Sequence, residues 1–300
     1  MYSSQLCFHG AKFSVQVKSC TTQNANFEYW FWTDEDIERF IKSHYPQFLK
    51  LFSSYPAGGY RADAFRWTER FVFNIPEIWS IFVIFKRYFV LFEYGGIYLD
   101  TDVECVKPFD PVLLATSTCI LSQEPEEHAH FLSPIGVPLV SNAVMACSRG
   151  HLFLKQVIEN LYWHRGLFIY NDILRATGPF MLSDEYSKFN QAETNRELIW
   201  LASADTFQPT TDSSMRDFMR SCCIKGSKHY MSDQHKSASF LATQARLCEK
   251  VLRQGFREKA TSDVSYTDHH WTHSWVGVIN DPYNIIGTNK YIDVQTLVQF

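Results

Sequence analysis

No two of the eight cysteines in this 300-residue chain form a C-x-x-C pair. A zinc knuckle needs such pairs to bring thiolates onto one ion, so none is expected. Neither sign of charge dominates. Lys+Arg number 28 and Asp+Glu 32, a net charge of -4. Without a basic stripe the chain lacks the footprint of a nucleic-acid binder, and no nucleic-acid partner is expected. Long apolar runs are missing too. The most apolar stretch, Phe71 to Phe92, is broken by Asn74, Pro76, Glu77, Lys86 and Arg87 and makes a poor membrane span. Met1 to Lys18 does not read as a signal peptide, and no anchor is visible. Internal repeats and linkers are also absent, so one domain over residues 1–300 is expected. What the chain does have is aromatic mass, with 25 Phe, 15 Tyr and 8 Trp. That is too apolar for disorder. Eight cysteines would permit disulfides in a secretory lumen.

Periodicity sketches an α/β chain. Residues 1–26 show no clear period. Thr33-Asp34-Glu35-Asp36 reads as a helix start, with Ile37, Phe40 and Ile41 at helical spacing and Tyr45-Pro46 as the stop. Residues 61–94 are helix-compatible apart from Asn74-Ile75-Pro76. Gly95-Gly96 ends that region, and Ile97-Tyr98-Leu99 reads as a buried strand. Strands are expected near 118–122 and 136–140, and helices near 152–162, after Gly178-Pro179, and over 238–254.

The sharpest local signal follows the strand at 97–99. Residues two apart on a strand share a face, so Asp100 and Asp102 at its end would converge. Two close carboxylates repel, and a divalent cation removes that cost. A solvated acidic turn is the blander reading of the pair. The glycines would let backbone approach a bulky ligand. A second cluster, His269-His270-Trp271-Thr272-His273-Ser274-Trp275, offers imidazoles for a metal, or is a surface loop with scattered histidines. Arg61-Ala62-Asp63 reads either as part of a polar pocket or as an exposed ion-pair turn. Asn142 is either a core-edge cap or a ligand contact.

Taken in order, these blocks resemble the DXD-containing glycosyltransferases of family 32, which include Golgi α-mannosyltransferases and inositol-phosphoceramide mannosyltransferases. Relatives of that group are α-1,4-galactosyltransferases. Trp30 and Trp32-Thr33-Asp34 resemble the family's early block. Arg61 to Arg66 with Tyr88 to Asp102 resembles its core signature. Ser141 to Ala146 with Gly150-His151, then Thr177-Gly178-Pro179, then His269-His270-Trp271 with Ser274-Trp275, resemble the later ones.

The resemblance implies a GT-A fold, a Rossmann-like, mostly parallel sheet flanked by helices. It implies a nucleotide-sugar donor (GDP-mannose or UDP-galactose), Mn²⁺ or Mg²⁺, and a glycan or glycosphingolipid acceptor. It places the protein in the Golgi lumen, membrane-associated in a full-length form. By that resemblance Asp102 and one of His269 and His270 would hold the metal, and Asp100 would contact the donor. Arg61, Asp63, Tyr94, Gly95, Gly96 and Trp275 would line the donor site, with Asn142 beside the sugar. Retention of the donor's α configuration would follow, with no dedicated protein nucleophile or base. An inactive, sugar-binding relative and a metal-dependent phosphohydrolase are the competing functions.

The chain departs from the family pattern twice. Phe8 to Lys18 does not match the family's opening strand, which suggests a truncated start. The family's unbroken Asp-Ala-Phe-Arg-Tyr-Phe-Val-Leu is split here between Arg66 and Tyr88. Residues 67–87 therefore read as an insert, either a translated intron or a looped insertion, and activity would be in doubt if it is present.

Overall fold

A computed structural model describes residues 5–9, 15–32, 34–53, 82–109, 119–132, 138–167, 173–195, 198–226, 237–261 and 263–272. Arg61, Asp63 and Trp275, and residues 67–81 of the expected insert, lie outside them.

The chain opens with β1 (Gln5–His9), α1 (Val15–Gln23), β2 (Glu28–Trp32) and α2 (Asp34–His44). Next come α3 (Phe82–Tyr94), β3 (Gly96–Leu99), β4 (Val103–Cys105), β5 (Cys119–Gln123) and α4 (Glu126–Leu132). The second half holds β6 (Val140–Cys147), α5 (Leu152–Leu167), α6 (Pro179–Phe189), β7 (Ile199–Ala202), α7 (Ala238–Arg253) and β8 (Thr267–His269). The main sheet runs β2-β1-β3-β6-β5-β7, and β4 pairs with β8 in a two-stranded ribbon. Three of the main sheet's contacts are parallel, β1 with β2, β1 with β3 and β5 with β7. β6 runs antiparallel to both its neighbours. This is the α/β class that the resemblance implied.

β1 corrects one expectation. A strand does open the chain, just ahead of most of the window in which none was legible, and it sits second in the sheet. Five residues carry too little periodicity to announce themselves. Pairing with β2 and β3 defines this strand more than its own sequence does.

Both faces of the sheet are covered. Tyr98, Leu121 and Met145 face α3, α5 and α6 with Tyr88, Phe89, Leu91, Phe153, Leu161 and Met181. Their strand neighbours Ile97, Leu99, Ile120, Val144 and Ala146 face the other way, onto Val17, Phe109 and Phe207. This is the period-2 alternation of a sheet buried on both sides.

α3 ends where Gly95 adopts φ +70° and its N–H bonds the Leu91 carbonyl. A Cβ there would lie 2.7 Å from the Arg149 backbone nitrogen. Only glycine combines that turn with that approach. Disulfides join Cys20 of α1 to Cys105 of β4, Cys119 to Cys147 across β5 and β6, and Cys223 to Cys248. No described helix is long and apolar enough to cross a membrane.

Candidate metal and donor site

The site forms where β3 ends. The Val103 N–H bonds back to the Asp100 carbonyl, so Asp100-Thr101-Asp102 is a turn into β4 rather than extended strand. The two carboxylates converge because of that turn, which corrects the strand-alternation argument. β4 pairs with β8 in the register Val103 opposite His269. That pairing carries an imidazole from 167 positions downstream onto the acids. Ligand atoms of Asp100, Asp102 and His269 lie within 4.8 Å of one another.

The two acids have different surroundings. Asp100 Oδ1 accepts from the Tyr98 hydroxyl at 2.7 Å and lies 3.2 Å from the buried Arg87 guanidinium. Arg87 also lies over the Tyr98 ring, 4.8 Å from its centroid, and donates to the Asn142 carbonyl. Burial pushes the Asp100 carboxyl above the usual range and the neighbouring Asp102 adds to this, while Arg87 pulls down without cancelling it.

Asp102 Oδ1 is 3.3 Å from His269 Nε2. Its Oδ2 accepts the Thr272 N–H at 3.0 Å and the Thr272 hydroxyl at 2.9 Å. Burial alone would raise this carboxyl, but His269 and Thr272 more than offset it and hold it below the usual range. Burial likewise disfavours a charged His269, and Asp102 outweighs that, so the imidazole's pKa is raised.

Trp271 sets this geometry. Its backbone takes φ +50°, a left-handed turn uncommon for a bulky side chain. Its ring packs 4.1 Å from His269 and 4.8 Å from His128, and its Nε1–H donates to the Thr210 carbonyl at 3.1 Å.

Several expected site residues lie elsewhere. His270 follows the last residue of β8 and faces Glu104, with Nε2 to Oε2 at 2.8 Å, because successive residues point to opposite sides. It does not join the Asp100, Asp102 and His269 cluster. Tyr94, Gly95 and Gly96 precede or begin β3, whereas Asp100 follows its end. Gly96 and Asp100 are four residue steps apart, roughly 13 Å at about 3.3 Å per step. Tyr94 packs in an aromatic group with Trp30, Trp32 and Phe40. In this structure the three form a helix stop and a packing group, apart from the Asp100, Asp102 and His269 cluster. The Asn142 side chain reaches the Tyr88 hydroxyl at 3.5 Å, and its backbone carbonyl holds Arg87.

Sequence reasoning missed Arg87, Tyr98 and Thr272. For Arg87 a signal was present: it immediately precedes Tyr88-Phe-Val-Leu91, where the family pattern has its arginine. Residues 82–87 belong to α3, and Arg87 is part of the site.

Residues 84–119 match the family described as the glycosyltransferase sugar-binding region containing the DXD motif. The chain is 35% identical over 176 residues to inositol phosphoceramide mannosyltransferase 3 of Schizosaccharomyces pombe, covering 58% of this chain and 40% of that protein. It is 31% identical over 193 residues to a mannosyl phosphorylinositol ceramide synthase of Saccharomyces cerevisiae, covering 63% and 42%. The chain thus spans less than half the length of these relatives. Among solved structures, mouse xyloside xylosyltransferase 1 aligns over 90% of this chain and 85% of its own, at 12% identity and a TM-score of 0.41. The matched region contains both aspartates of the turn, and over it the chain is similar to the glycosyltransferases whose sugar-binding region carries the DXD motif.

Proposed function

We propose that the protein transfers a hexose from a nucleotide-sugar donor to a hydroxyl of a glycan or inositol-phosphoceramide acceptor, with a divalent cation. The observation that carries this reading is the convergence of Asp100, Asp102 and His269. Two carboxylate oxygens with one imidazole nitrogen suit Mn²⁺ better than Mg²⁺, which favours oxygen alone. Asp102 and His269 would hold the cation, with Asp100 beside it. When bound, the cation offsets the negative charge that builds on the departing diphosphate.

The chain's own part is orientation. Thr272 fixes one oxygen of Asp102, and Arg87 with Tyr98 fixes Asp100. Transfer breaks the bond from sugar C1 to the diphosphate oxygen and forms one from the acceptor oxygen to C1 on the same face. The acceptor's proton passes to the departing diphosphate. Mannose is the favoured sugar because the relatives' names specify mannosyl transfer, with galactose the alternative. Three disulfides agree with an oxidising compartment such as the Golgi lumen.

A catalytically inactive, sugar-binding relative is the second reading. The interruption between Phe65 and Arg87 favours it, since it separates Asp63 from the arginine three places along in the family pattern. One experiment addresses both: a screen of GDP-mannose and UDP-galactose with and without Mn²⁺, on the chain and on a version lacking residues 67–87. That version restores the unbroken block. Metal-dependent product from one donor, lost in Asp102→Ala, supports transfer. Donor binding without product in either version supports the inactive reading.

A further inference from the structure

Asp100 and Glu124 leave the main sheet at the same edge. Asp100 follows β3, and its N–H bonds the Ala143 carbonyl of β6 at 2.9 Å. Glu124 follows β5, and its N–H bonds the Leu139 carbonyl, just ahead of β6, at 2.8 Å. β3 and β5 flank β6 and both run antiparallel to it, so their C-terminal ends lie on one side. Side-chain packing links Glu124 to the site a second time. The Trp271 ring touches the rings of His269 and His128, and His128 Nδ1 is 3.1 Å from Glu124 Oε2.

Glu124 is held firmly through one oxygen and left open at the other. Its side chain is only 8% exposed. The Asp212 backbone N–H donates to His128 Nε2 at 3.1 Å. A backbone N–H can only donate, so the His128 hydrogen sits on Nδ1 and goes to Glu124 Oε2. Both contacts of the ring ask for the same form. Among the described residues nothing donates to Glu124 Oε1, and that atom is not sealed from solvent. A carboxylate oxygen accepts hydrogen bonds, and leaving one nearly buried without a donor is costly.

The gap selects its ligand. It takes a hydrogen-bond donor that reaches a nearly buried oxygen from the edge where Asp100 stands. A sugar hydroxyl meets both conditions, and a site that bonds a particular hydroxyl also discriminates between sugars. We propose that Glu124 is a sugar-binding residue. Its Oε1 accepts a hydrogen bond from a hydroxyl at the transfer site, and His128 holds the carboxylate in place for it. The hydroxyl belongs either to the donor's hexose or to the acceptor, and the test separates the two. The assignment rests on the transfer reading above.

Isothermal titration calorimetry with Mn²⁺ present tests it on wild type and Glu124→Gln. The donor probes are GDP-mannose and UDP-galactose, each against its bare nucleoside diphosphate. The acceptor probes are inositol 1-phosphate and methyl α-mannoside. Glutamine keeps the shape of glutamate. Its oxygen takes the His128 hydrogen, which leaves an NH₂ where Oε1 was and turns an acceptor into a donor. If the hexose of the donor is the partner, the sugar nucleotide should bind about 10–100-fold more weakly, with the nucleoside diphosphate unchanged. If the acceptor is the partner, an acceptor probe should show that loss and the nucleotides none. Unchanged diphosphate affinity also shows that the variant is folded. Glu124→Asp keeps the charge and withdraws it by one methylene. It serves if the glutamine variant does not fold, and should show the same selective loss.

A variant that binds every probe as wild type does would overturn the assignment. So would an equal loss for a sugar nucleotide and its diphosphate, because that would make Glu124 a support for the fold around Trp271 alone. A folded wild type that binds no nucleotide would overturn the transfer reading, and this assignment with it.

Discussion

Two carboxylate–imidazole pairs in this molecule look alike on paper and differ in what surrounds them. Glu185 on α6 and His164 on α5 stand 2.8 Å apart, almost wholly buried. Lys188 shares Oε1 at 2.8 Å, while Gln156 and Asn160 take Oε2 at 2.9 and 2.6 Å. Both Glu185 oxygens are saturated. These donors outweigh burial and bring the carboxyl from 4.5 down to about 2. Asp102 and His269 are looser at 3.3 Å, closer to solvent, and have a second acid within reach. A saturated pair holds two helices together. An unsaturated pair with an extra carboxylate has coordination left for something else.

The predictions test that contrast. Asp102→Asn should lower metal-dependent transfer about a thousandfold, equivalent to about 4 kcal/mol of transition-state stabilisation. Its circular dichroism should not change. A wild-type rate would refute the metal role. Arg87→Met should cost about 3 kcal/mol in urea unfolding, because it leaves Asp100 half-buried and unpaired. A loss below 1 kcal/mol would mean that Asp100 is hydrated rather than clamped.

Glu185→Gln should cost about 2 kcal/mol at pH 7 with no effect on Mn²⁺ affinity. The depressed carboxyl stabilises the fold fully above about pH 4.5, and this is lost as pH falls toward 2. The groups facing it are His164, Lys188, Asn160 and Gln156. Unfolding curves of wild type and variant should therefore converge in acid; parallel curves would contradict the sealed pair. His270→Ala is the smallest change. Its exposed contact with Glu104 should be worth less than about 0.5 kcal/mol, with Mn²⁺ binding intact.

What could be read from sequence follows from how local each signal is. Asp100 and Asp102 were legible because two acids end an apolar strand. The stop at Gly95 was legible too, although its purpose was not: a glycine that ends a helix resembles one that admits a ligand until the Arg149 backbone is seen beside it. Helices after Gly178-Pro179 and over 238–254 match α6 and α7 closely. Thr272 left no local trace, since its partner Asp102 lies 170 positions away. His269 and His270 could be separated only by the β4–β8 register.

That ribbon also orders events during synthesis. All six strands of the main sheet precede residue 203, whereas everything that faces Asp102 from β8 onward arrives after Tyr266. Asp102 meets Thr272 across 170 residues. At about 5–20 residues per second a ribosome needs roughly 10–30 s to cross that interval. For that time a nascent chain can assemble its sheet and close the Cys20–Cys105 link while its acid pair waits without an imidazole. A chain interrupted after Tyr266 keeps the whole sheet and lacks His269 and Thr272. Structural integrity and site completion thus depend on different stretches of the same message.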